Sequence, residues 1–102
     1  MSVVKYYILV DPDKPNKCKL GITKNEKQRI RAYRTAAPQC YYYSIYDNVE
    51  KIHEKKILDL LKDRFIVDRE YIHCHPKIVQ RIIEGYFTDK DIDFCIVKNL
   101  DS

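Results

Sequence analysis

The chain has 102 residues, 45% of them hydrophobic, with only two glycines, a net charge of +4 and four cysteines. That length buries one modest core, and the apolar content excludes a disordered tail. No apolar run reaches the roughly 18 residues of a membrane span. Cys18, Cys40, Cys74 and Cys95 form no C-x-x-C pair, which argues against a structural zinc site.

The first ten residues carry one lysine and no small-residue cleavage site, so they read as a strand and not as a signal peptide. An intracellular protein of cytoplasm or nucleus, with free thiols, is expected. "VVKYYILV" (Val3–Val10) is β-branched and aromatic, the pattern of a buried strand. "DPDKPN" supplies the turn, and Cys18–Ile22 returns as a second strand. Asn25 then caps a helix, with Gln28 as its capping-box partner, that runs to about Ala36 and stops before Pro38. "QCYYYSIY" (Gln39–Tyr46) is a third strand. Its tyrosines either alternate between core and surface or offer stacking surfaces to bases.

Asp47, with Glu50 three residues on, predicts the cap of a second helix that reaches about Arg64 or Phe65. "REYIH" (Arg69–His73) is a short extended piece. Its neighbours "HCH" (His73–His75) are adjacent residues that point apart and chelate poorly. Pro76 opens a third helix, for which Gly85 predicts the stop, and Asp93–Val97 is a last short strand. The order implies an α/β (α+β) fold: a small, mostly antiparallel three-stranded sheet flanked by helices. It forms one domain over residues 1–102, with its core at about 4–87.

Charge is uneven along this order. Lys14 to Arg34 holds eight basic residues against the single acid Glu26, a local charge of +7, so the remainder sums to −3. Lys17, Lys24, Lys27, Arg31 and Arg34 are the candidate contacts to a polyanion; the alternative is a solvated helix face. Two charges also fall where apolar residues belong. On a helical wheel Glu54 lies between Leu61 and Phe65, inside the apolar stripe, and Arg29 lies between Tyr33 and Ala36 on the inner side of the first helix. A buried carboxylate needs a partner or a metal, and an inward arginine pairs with an acid or meets a phosphate. Glu54 and Arg29 are either each other's partners or two parts of one phosphoryl-transfer site.

These residues fall on a family pattern. "KYY" (Lys5–Tyr7), then "KLG" (Lys19–Gly21), Arg29 eight residues after Gly21, Tyr33 four further on, the helical Glu54 and the run "REYI" stand in order. In this the chain resembles the GIY-YIG nuclease superfamily, closest to its viral and phage DNA-binding subgroup, over about Val4 to Phe87. The resemblance implies a metal-dependent endonuclease that hydrolyses DNA phosphodiesters with Mg²⁺ or Mn²⁺ on Glu54. Arg29 would neutralise the phosphate, Tyr7 and the family's second tyrosine would position or deprotonate the attacking water, and Tyr33 stands as a further candidate catalytic residue. Four departures accompany it. Lys5-Tyr6 replaces Gly-Ile, Lys19 replaces the second tyrosine, Leu58 stands where the subgroup has histidine, and a late asparagine has no counterpart. Lys19 either takes over a base's role or simply grips phosphate. Two other readings stay open: an inactive DNA-binding module on the same fold, and a protein-interaction domain. The richness in Lys, Ile, Tyr and Asn is compatible with a virus-encoded chain, and the oligomeric state is open.

Overall fold

The computed structural model describes residues 3–99. In chain order it contains β1 (Val3–Val10), β2 (Cys18–Thr23), α1 (Glu26–Ala36), β3 (Tyr41–Glu50), α2 (His53–Arg64), β4 (Val67–Asp68), β5 (Tyr71–Ile72), α3 (Pro76–Asp89) and β6 (Cys95–Asn99). The strands form one antiparallel sheet in the order β4-β5-β2-β1-β3-β6. It is a small α+β fold with six strands, not three. The central trio β1, β2 and β3 matches the expectation. The hairpin β4–β5 extends the β2 side, and β6 extends the β3 side. Strands of two residues are too short to show an alternating pattern, so the hairpin left no signal beyond "REYIH".

Alternation along β1 splits the core in two. Val4, Tyr6 and Ile8 face α2 and α3, where they meet Leu20, Tyr46, Val49, Ile57, Leu61, Ile83 and Phe87. Tyr7 and Leu9 face α1 and join Cys40, Tyr42 and Ile45. The first cluster is the larger. Each fully buried large side chain in it contributes about 1.5–3 kcal/mol. Helix α1 buries no residue fully; Ile30, Tyr33 and Ala37 cover the second cluster only in part.

Helix ends follow local chemistry at two of three starts. The Asn25 side chain accepts from the Gln28 backbone N–H, and the His75 side chain accepts from that of Lys77, with Pro76 in the first turn of α3. The capping box expected at Asp47 and Glu50 does not form. Both residues belong to β3, and α2 starts at His53 without a side-chain cap. Val49 is fully buried beside Val4, and that burial keeps the strand going. Gly85 does not stop α3 either. The helix continues because Tyr86 and Phe87, just beyond it, are core residues.

Tyr41, at the start of β3, is half-buried, and the other three β3 tyrosines do not alternate with solvent. Both sides of the strand are covered, so Tyr42, Tyr43 and Tyr46 are all buried. All four cysteines are free, three of them buried. No helix among the described residues is long and apolar enough to cross a membrane.

Candidate active site at the edge of β2

Antiparallel pairing sets Tyr7 opposite Gly21. The tyrosine ring lies across that glycine, and a Cβ there would fall onto the Tyr7 Oη and Cζ. The glycine therefore makes room for a ring in the sheet's smaller core. Tyr33 comes in from α1, and the Tyr7 and Tyr33 hydroxyls share a hydrogen bond of 2.8 Å. Tyr7 is only 2% exposed. Burial pushes its phenol well above the usual range; the Tyr33 hydroxyl adds to this, as does Glu70 more weakly, while the charge of Arg29 pulls the other way.

Lys19 completes the group. Its Nζ lies 4.8 Å from the Tyr33 ring centroid and 4.5 Å from that of Tyr71. Glu70 Oε2 is 3.5 Å away. Two aromatic faces and a carboxylate all attract a cation, and the lysine side chain is 16% exposed. Because Glu70 is 63% exposed, its pairing with Lys19 is worth under about 1 kcal/mol. The sequence reading assigned no role to Glu70 or Tyr71. Their approach depends on the β5–β2 pairing of Tyr71 with Lys19, which no local pattern announces.

That pairing also opens the site. β5 bonds β2 only at Cys18 and Lys19, so the remainder of β2 has no strand on its outer side. Glu70 stands where the pairing ends. Glu54, in the first turn of α2, is half-buried; burial raises its carboxyl above the usual range, Glu70 raises it further, and Lys51 offsets part of this. Among the described residues no cation stands within ion-pair distance of it.

Arg29 departs from expectation. It is exposed, not inward, and it does not pair with Glu54. The contact face of α1 is narrow, limited to Ile30, Tyr33 and Ala37, so Arg29 falls on its rim. There it lines a cleft of about 280 Å³ with Val4, Ile22, Thr23, Lys24 and Lys51. Tyr33 thus touches both Tyr7 and Lys19, while Glu54 and Arg29 stand outside that group.

Of the expected polyanion contacts, Lys24, Lys27, Arg31 and Arg34 are exposed on or beside α1, and Lys17 is half-buried before β2. Arg34 Nε donates to the Cys40 carbonyl at 3.1 Å, which ties it partly to the fold. His53, beside Glu54, is used structurally: its Nδ1 lies 2.9 Å from the Tyr86 hydroxyl. A cleft of about 870 Å³ lies elsewhere, between α2 and α3, and holds none of the expected site residues.

A divalent cation can be tested against this donor set. Among the described residues no group of three or more His, Cys, Asp or Glu side chains could hold a metal. Magnesium does not require one, because it binds through one or two carboxylates with water and substrate phosphate completing its shell. Glu54, short of a cation and within the electrostatic reach of Glu70, fits that mode; it does not fit zinc.

The T5orf172 domain matches residues 5–87, and the chain belongs to that family, a phage-associated domain. Searches of curated proteins and of solved structures give no match.

Proposed function

We propose that the chain is a GIY-YIG-type endonuclease domain, single over residues 1–102, that hydrolyses DNA phosphodiesters with Mg²⁺ or Mn²⁺. The observation that carries this reading is Glu54: a half-buried carboxylate with no cation at ion-pair distance among the described residues, within the electrostatic reach of Glu70, which itself pairs with Lys19. The family supports the coarser part, a phage-type DNA-binding or nuclease-related module. A virus-encoded protein acting on DNA inside a cell is the setting this implies.

In the proposed reaction Glu54, with Glu70 within its electrostatic reach, would hold a divalent ion, which would supply charge neutralisation at the phosphate. Arg29 reaches across its cleft to the non-bridging oxygens. Lys19 grips phosphate as a cation, the role its carboxylate and aromatic neighbours favour. Tyr7 and Tyr33 orient the attacking water through their shared hydrogen bond. Tyr7 holds its proton tightly, so it serves the water as a hydrogen-bond partner held in place by Tyr33, and the water's proton leaves to solvent.

One observation favours a second reading. Lys19 stands where the tyrosine is expected, and Tyr7 is a reluctant base, which suits a DNA-binding module with little or no cleavage. Supercoiled plasmid with Mg²⁺ or Mn²⁺ separates the two. Nicking that chelator stops, and that Glu54→Ala lacks, supports the nuclease; salt-sensitive binding without nicking by wild type supports the binding module.

A further inference from the structure

A second basic site stands outside the cluster around Tyr7. Lys14 and Lys17, from the β1–β2 loop, and Arg69, from the β4–β5 hairpin, line a cleft of about 270 Å³ with Tyr71, His73 and the single acid Asp68. Arg69 and His73 lie far along the chain from the basic run at residues 14–34 and join it only through folding. Among the described residues, none of Lys14, Lys17 and Arg69 has a carboxylate at ion-pair distance. Three cations share this cleft with one acid, Asp68, so positive charge is in excess there.

The hairpin also holds Arg69 under strain. Arg69 and Glu70 form a two-residue loop between β4 and β5, and Arg69 has a φ of 58°. Glycine or asparagine suits that left-handed position; a long side chain costs about 1 kcal/mol or more there. A strained cation facing other cations calls for a ligand.

A chain of contacts links this cleft to the candidate active site. Lys14 Nζ donates to the Tyr71 hydroxyl at 3.1 Å and lies 4.2 Å from that ring's centroid. Lys19 lies 4.5 Å from the same ring and 4.8 Å from the Tyr33 ring, and Tyr33 bonds Tyr7. Tyr71 thus already holds two ammonium groups, which makes it a spacer for cations and not a platform for a base. The cleft is small and open compared with the roughly 300–1,000 Å³ of small-molecule sites.

We propose that Lys14, Lys17 and Arg69 form a second phosphate-binding subsite, which holds the backbone of the polynucleotide as it leaves the Tyr7–Lys19 cluster. This rests on the nucleic-acid part of the function above, not on cleavage. The subsite contacts phosphates and not bases, so it is indifferent to sequence.

The test is fluorescence anisotropy with a labelled 20-base-pair duplex of arbitrary sequence, in EDTA, over a series of NaCl concentrations. Wild type is compared with Lys17→Gln/Arg69→Gly, which leaves the Lys14–Tyr71 contact intact and relieves the turn. The double variant is expected to bind roughly ten-fold more weakly near 0.1 M salt. Its log–log salt slope should be shallower by about two, equally for two unrelated sequences, with no loss of melting temperature. An unchanged affinity and slope would overturn the subsite while leaving DNA binding by the rest of the surface intact. Binding of polyglutamate as tight as that of DNA would overturn the ligand class in favour of an acidic protein. Absence of nicking, with the predicted slope change present, would remove the nuclease reading and leave this one standing.

Discussion

Tyr6 and Tyr7 are neighbours in β1 and point to opposite faces of the sheet, and their hydroxyls show what each face is for. Tyr6 is fully buried against Phe87, and its hydroxyl donates to the Glu50 carbonyl at 2.7 Å. Backbone satisfies it, and it serves the fold. Tyr7 is nearly as buried, yet its hydroxyl meets another hydroxyl, beside a lysine held by rings and an acid. The face under α2 and α3 is closed by apolar packing. The face under α1 is thin, polar and open along β2. Apolar packing is concentrated on the first face, and the second carries the tyrosine–lysine cluster of the proposed site, with charges that a core would exclude.

The contrast can be broken most forcefully on the closed face. Phe87→Ala should destabilise by about 3–5 kcal/mol in urea unfolding, enough to threaten folding altogether; a loss under 1 kcal/mol would mean that this core is not where stability resides. Gly21→Ala acts across the divide. Its new Cβ collides with a confined Tyr7 ring, so a loss of about 1–3 kcal/mol is expected together with loss of any plasmid nicking. Tyr33→Phe should cost about 1 kcal/mol or less, since the ring stays, while lowering nicking roughly a hundred-fold. Equal effects of Tyr33→Phe and a Tyr6→Phe control on nicking would erase the distinction between the faces. The smallest change is a gain. Gly85 lies inside α3, and a Cβ there meets nothing within 4 Å, so Gly85→Ala should raise stability by about 1 kcal/mol with nicking untouched.

The parts of this arrangement that were legible in the sequence are those decided locally. The apolar run of β1, the prolines of the first turn and the Asn25 cap set β1, β2 and α1 at nearly their observed limits. Two signals misled because tertiary burial outweighed them. Asp47 and Glu50 have the spacing of a capping box, but Val49 between them belongs to the core. Gly85 looks like a helix stop, but Phe87 anchors another turn. In the site, Glu54 stood out as a carboxylate on an apolar face. Arg29 was placed on the wrong side because α1 touches the sheet along a narrower strip than its wheel suggests. Glu70, Tyr71 and Arg69 reach Lys19 and Lys14 only through a pairing of two-residue strands, and short pairings carry almost no sequence signature.

Glu54, in the first turn of α2, gives the most direct test of the proposal that a carboxylate is kept for chemistry at the expense of stability. Its carboxyl is raised in the folded state above the ordinary value of 4.5, first by burial. The unfolded chain therefore loses that proton first as pH rises. The associated stability is fully present below about 4.5 and is lost as pH passes the folded value, so at neutral pH the ionised group weakens the fold. Thermal melts and plasmid nicking of wild type and Glu54→Gln, at pH 7 and at pH 4, measure both sides at once. The account predicts that Glu54→Gln melts higher than wild type at pH 7, that the difference shrinks at pH 4, and that nicking is lost. A variant that melts lower at pH 7 and nicks as wild type does would make Glu54 a structural residue and contradict the account.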